Sequence, residues 1–247
     1  MGLFDLLRRG GRKSEVTATR SALEEARDPQ AESGGAVTKL IQNILAAGLD
    51  GVGPYASATK VADSARKHSG SDVEGAIKRV VSQHVRSGAA GGFVTGLGGF
   101  ATMVVAIPVN VFEFYVQATR MVGAIATLRG YDVTRPDIRT AVLLTLVGQD
   151  SQKVLASTGI PLGATSGRVT ALALGNLPKS ALMVINKAVG FRVLRSVGEK
   201  SLSRFGRLVP VAGGVLGGAL DGFLMRRIAD AARKEFPPLT TISGTAG

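Results

Sequence analysis

Glu113, Gln117 and Arg120 stand at helical spacing inside an otherwise apolar segment. At i, i+4 and i+7 a carboxylate, an amide and a guanidinium share one helix face. Together they offer a proton acceptor, a hydrogen-bonding amide and a fixed cation, a set suited to an ion-binding patch or to acid–base work. Asp221 is the second candidate. On a helix over 212–236 it shares a face with Gly213, Gly217, Leu224 and Ile228, which puts its carboxylate on a close-packed side. An uncompensated charge there is costly. The reading is a polar clamp between helices, with Arg120 as candidate partner and Glu113 and Gln117 as candidate members of the same patch. A catalytic or ion-binding carboxylate is the alternative.

Most other chemistry is excluded. With no cysteine there is no disulfide, zinc–thiolate site, iron–sulfur cluster or thiol nucleophile. The two histidines, His68 and His84, lack any HxxxH or HExxH spacing, and His84 falls on a mostly apolar helix face. No metal and no cofactor is expected. Gly51-Val52-Gly53-Pro54-Tyr55-Ala56 fits G-x-G-x-x-A, but a dinucleotide site needs a strand before it and the preceding residues are helix-periodic. There is no P-loop. Gly163 to Gly167 is one residue out of step with a nucleophile elbow.

The elements that must position these groups read as helices joined at glycines. Val37, Leu40, Ile41, Ile44 and Leu45 form a first helix, ended by Gly48 and Gly51-Val52-Gly53-Pro54. Residues 55–68 give a small polar helix. Ser71 caps a third, carrying Val73, Ile77, Val80, Val81, His84 and Val85. A fourth, over 109–129, is amphipathic: Val111, Phe114, Tyr115, Ala118, Met121, Val122 and Ile125 are its apolar face, the Glu113 stripe its polar one. Gly130 closes it and Pro136 opens the next. A loop at 157–168, helices near 169–176 and 179–197, and a last helix from Leu208-Val209-Pro210-Val211 to Phe236 complete the series. No stretch alternates with period two long enough for a strand. The expectation is an all-α protein: a flexible, partly amphipathic basic arm over 1–35, a single compact helical domain over 36–237, and a polar tail over 238–247.

Ser87 to Phe112 is uncharged over 26 residues, longer than a hydrocarbon core requires. Yet Gly88, Gly92 and Gly96 repeat four apart, which bares backbone on one helix face for close helix packing. The run ends in Ile107-Pro108, and the reading is a buried, glycine-lined helix broken near Gly98-Gly99, with Gly213 and Gly217 lining helix contacts in the same way. Insertion into a bilayer is the alternative.

Charge and termini bear on partners. The chain has 247 residues, 30 Lys+Arg against 18 Asp+Glu, a formal charge of +12 and 33 glycines. Its mean hydropathy is +0.22. Leu3, Phe4, Leu6 and Leu7 precede Arg8, Arg9, Arg12 and Lys13, a short amphipathic piece able to lie on an anionic bilayer. It is too short for a signal peptide, and Leu6 breaks the myristoylation pattern begun by Gly2. Lys187, Arg192, Arg195, Lys200, Arg204 and Arg207 precede the second glycine-rich run, and Arg226, Arg227, Arg233 and Lys234 follow it. This flanking suits lipid headgroups. Nucleic acid is the rival use of the charge, but the chain has no tryptophan, few aromatics and no recognisable reading helix.

Several segments together resemble the EcsC protein family. They are Gly51-Val52-Gly53 leading into Ala56, Ala58 and Ala62; Ser87 through Gly99 and on to Ile107-Pro108; Gly130-Tyr131-Asp132; and Leu208 through Gly218 followed by Asp221 and Ala231 to Phe236. The similarity runs over 36–237. It implies a bacterial helical protein, of a family named for a neighbour of an ABC-transporter operon linked to secretion and protein processing. Family members often carry an acidic residue just before the Ile/Leu-Pro step, where this chain has Ala106.

Residues and resemblance together give the expected function. It is a non-enzymatic, membrane-associated bacterial protein, cytoplasmic and peripherally attached, acting beside a transport or secretion system or on anionic lipid. Anionic membrane lipid is the expected partner and a membrane protein a second one; the oligomeric state is left open. One alternative is an enzyme, a hydrolase, with a carboxylate site near Glu113 and Asp221. The other is a basic nucleic-acid binder.

Overall fold

The computed structural model describes residues 36–52, 55–97, 103–147, 185 and 210–239. Among them are six α-helices and no strand, so the protein is all-α. Helix α1 is Ala36–Leu45, continued by a π turn over Ala46–Asp50; α2 is Ala58–Ser69, α3 Val73–Leu97, α4 Met103–Leu128, α5 Pro136–Val147 and α6 Pro210–Glu235. The loop at 157–168 and the helices near 169–176 and 179–197 lie outside the described residues, except that Ile185 is helical and buried.

Helix α4 is the centre of the molecule and touches all five others. Met121 through Ala126 are buried in succession, which takes in the whole circumference of the helix. The expectation of an amphipathic helix is therefore corrected. Because neighbours wrap α4 on every side, the Glu113, Gln117 and Arg120 stripe is half-buried and does not form a solvated face. Leu40, Ile41 and Ile44 from α1, Ala58, Ala62 and Ala65 from α2, Ile77 and Val80 from α3, and Ile138, Val142 and Leu144 from α5 close around it.

The joints follow local chemistry, with three differences from expectation. Gly48 does not end the first helix. It lies inside the π turn, where a Cβ would come within 2.7 Å of the Thr119 side chain, so the bare backbone lets the turn approach α4. The cap of α3 is Asp72, not Ser71: its Oδ1 accepts from the Gly75 N–H at 2.8 Å. Helix α4 begins at Met103 and carries Pro108 as its sixth residue, at the cost of the one ladder bond that an N–H there would give to the Val104 carbonyl. Ser57 caps α2 by accepting from Lys60 N–H at 3.2 Å. Gly130, with φ of 95°, turns the chain out of α4.

Two long-range ties hold the ends. Asp50 receives both terminal nitrogens of Arg139, at 2.8 and 2.7 Å, which joins the π turn to α5. The Tyr131 hydroxyl donates to the Pro237 carbonyl at 2.9 Å and its ring meets Phe236 edge-on at 5.3 Å, which pins the end of α6 to the α4–α5 connection.

The uncharged run is thus divided: α3 ends at Leu97 and α4 opens at Met103. Among the described residues no helix is long and apolar enough to cross a membrane.

Candidate functional site

Helices α3 and α6 pack antiparallel along a seam of small residues. A Cβ on Gly92 would lie 2.5 Å from the Gly217 carbonyl oxygen and 2.6 Å from Asp221 Oδ2; a Cβ on Gly217 would lie 2.7 Å from the Gly92 carbonyl oxygen. Further along, Gly218 faces the Ala89 carbonyl and Gly88 faces Met225. The seam therefore brings Gly88, Gly92 and Gly217 together with Asp221, which is 2% exposed. Gly96 lies in the last turn of α3 and Gly213 in the first turns of α6; their surroundings fall outside the described residues.

The outer side of this pair is divided by polarity. On α6 the exposed positions run Val215, Leu216, Ala219, Leu220 and Phe223, then Arg226, Arg227, Asp230 and Lys234. On α3 they run Val73, Glu74, Lys78, Arg79, Ser82, Gln83, Arg86, Ser87, Ala90 and Phe93. Because the helices are antiparallel, the apolar end of each lies beside the apolar end of the other, and cations lie beside cations. Phe223 is 58% exposed and Phe93 38% exposed, large apolar side chains left in water. The Arg227 guanidinium sits 5.9 Å from the Phe223 ring centre, at the border between the two zones. Asp230 is the single exposed acid between Val215 and Lys234.

A second group of polar side chains lies inside, around α4. The Arg120 guanidinium stacks on the Tyr55 ring, 5.1 Å from its centre. Burial lowers its pKa, and the neighbouring Tyr55 opposes that shift. His84, on α3, is 5% exposed, and its Nδ1–H donates to the Val80 carbonyl at 2.8 Å. Burial pushes the imidazole down to about 4; the Val80 bond acts against this and the charge of Arg120 adds to it. Gln117 Oε1 and Thr119 Oγ1 are buried with no hydrogen-bond partner among the described residues.

The sequence candidates thus separate. Among the described residues no ion pair joins Asp221 to Arg120: Asp221 belongs to the α3–α6 seam, whereas Arg120 meets Tyr55 and the field of His84. Glu113 and Gln117 stand on α4, both half-buried. No three metal-ligating side chains converge among the described residues. Leu3, Phe4, Leu6, Leu7, Arg8, Arg9, Arg12 and Lys13 lie outside the described residues. Sequence reasoning missed the exposed face of α6. The signal was present, since Leu216, Leu220, Phe223 and Arg227 fall at i, i+4, i+7 and i+11. Compared with family models, curated proteins and solved structures, the chain matches none.

Proposed function

We propose that this chain is a non-enzymatic, peripheral membrane protein of the EcsC type, which docks from the cytoplasm on anionic lipid beside a transport or secretion system of a bacterium. One observation carries the reading: the outer face of the α3–α6 pair has an apolar end, with Phe93, Leu216, Leu220 and Phe223 exposed, followed directly by Arg86, Arg226 and Arg227. Apolar residues entering a headgroup layer leave water, and full burial of a side chain such as Phe is worth about 1.5–3 kcal/mol. Each cation held near an anionic surface adds about 1 kcal/mol. The two terms act at once only if both zones reach the lipid together, as they do on one face. The net charge of +12 and the amphipathic sequence of residues 3–13 support the same reading.

The test is sedimentation with vesicles. Protein should pellet with vesicles rich in anionic lipid and stay in solution with neutral ones. Salt should weaken the binding, because headgroup attraction is screened within a Debye length. Equal distribution between the two vesicle types would contradict the proposal. Binding to neither, with tight salt-dependent binding to duplex DNA or RNA, would assign the charge to nucleic acid.

A further inference from the structure

The arginines of the folded core do not all have the same company. Arg139 meets Asp50, Arg129 meets Glu74 at 2.6 Å, and Arg135 meets Asp137. Arg120 meets no carboxylate among the described residues, although burial already disfavours its charge. Two of its nitrogens, Nε and Nη2, are buried and have no hydrogen-bond partner among the described residues. These two N–H groups point in parallel from one edge of the guanidinium. That edge fits two oxygens of a single carboxylate or phosphate. Arg135 uses the same edge within this chain, giving Nε to Asp137 Oδ1 at 3.2 Å and Nη2 to Oδ2 at 2.7 Å.

We propose that Arg120, with Gln117 and Tyr55, forms a binding site for one small oxyanion, a carboxylate or a phosphate group held on the Nε–Nη2 edge. Gln117 lies three residues earlier on the same side of α4, and its buried Oε1 has no partner among the described residues, so a flip of the amide would put an NH2 group in that place. The Arg120 guanidinium lies over the Tyr55 ring, which gives the site an aromatic wall. Arg120 and Tyr55 are half-buried as residues, while the Nε–Nη2 edge itself is covered, so an anion must displace its neighbours to reach it. On the inner side, His84 lies within the field of Arg120. This site is separate from the α3–α6 docking face and does not depend on it.

Titration of the full-length protein with inorganic phosphate, with acetate and with a soluble short-chain phosphatidate tests this, with chloride at matched ionic strength as control. The chain has two histidines, and His68 is exposed, so the ring signals of His84 report on the site while those of His68 serve as reference. Saturable movement of the His84 signals alone, with a rise in Tm, is expected. An anion on Arg120 also cancels one cause of the low His84 pKa, so that pKa rises on binding. Response to phosphate or acetate identifies a free anion; response to the phosphatidate alone identifies a lipid headgroup. Arg120→Gln should abolish the response, and Arg120→Lys, which cannot form two parallel bonds, should weaken it about tenfold or more. Should Arg120→Gln fail to fold, the wild-type titration and Arg120→Lys decide. No saturable response to any of the three probes, or an undiminished response in Arg120→Lys, overturns the proposal.

Discussion

Gly92 and Gly217 lie back to back across the α3–α6 seam, the absent Cβ of each aimed at the carbonyl oxygen of the other at 2.5 and 2.7 Å. Backbone cannot swing aside as a side chain can, so neither position has room for a methyl group. Gly88, four residues along, is different: its nearest neighbour is the flexible end of Met225, at 3.3 Å.

This contrast gives a paired prediction. Replacing a helical glycine by alanine gains up to about 1 kcal/mol from helix propensity. Gly88→Ala should therefore be neutral or mildly stabilising. Gly92→Ala and Gly217→Ala should each lose about 1–3 kcal/mol through overpacking, despite the same gain. Denaturant melts of the three variants measure it. Equal effects at Gly88 and Gly92 would show that the helices do not approach closely at the seam.

Much of the helical frame was legible in the sequence, and its failures have a common physical origin. The spacing of Leu40, Ile41 and Ile44, the stop at Gly130 and the start at Pro136 are local signals, and they mark local elements. The burial of α4 is not local. Glu113, Gln117 and Arg120 read as the polar stripe of an amphipathic helix, because nothing within 109–129 tells that five other helices will surround it. Gly48 reads as a stop until Thr119 is found against it, and the helix read from 109 begins at Met103 and runs through Pro108. The spacing of Gly88 and Gly92 is visible, whereas the identity of the residue facing them, Gly217, depends on the antiparallel pairing of segments more than a hundred residues apart.

His84 makes stability depend on pH in the mildly acidic range. Its pKa is about 4 in the fold, against 6.5 ordinarily, so between these values the unfolded chain takes up a proton that the folded chain refuses. Stability is complete above pH 6.5 and falls as the pH drops toward 4, by about 3 kcal/mol for a shift of this size. Urea melts at pH 7 and pH 4.5 should show the loss, and His84→Gln should remove most of the difference. An unchanged slope in that variant would mean other groups set the acid limit.

The Asp50–Arg139 pair predicts a smaller effect of the same sign. Its hydrogen bonds with Arg139 hold the Asp50 carboxyl below its usual range, so its contribution is present above that range and lost as acid protonates it. Asp50 is half exposed, and solvent screening limits the pair to about 1 kcal/mol or less. Arg139→Ala should cost that much at low salt and less at high salt. A double exchange, Asp50→Arg with Arg139→Asp, should recover part of it in thermal melts.

The docking face also predicts which substitutions separate the two contributions to membrane binding. Leu216→Ser with Leu220→Ser should weaken binding at all salt concentrations, since the apolar term is not screened. Arg226→Gln with Arg227→Gln should weaken it about tenfold or more at low salt, from about 2 kcal/mol of headgroup attraction, and little at high salt. Vesicle sedimentation across a salt series measures both. All four side chains are solvent-facing, so the melting temperature should change little.

The central claim, that the apolar end of the α3–α6 face enters a lipid surface, is most directly tested by fluorescence. The chain has no tryptophan, so Phe223→Trp introduces a single reporter at the exposed border of that face. On addition of anionic vesicles its emission should shift to the blue and be quenched by lipids brominated on the acyl chain, while a tryptophan at exposed Ser64, on α2, should do neither. Vesicle binding without any change at position 223, or with an equal change at position 64, would contradict the account.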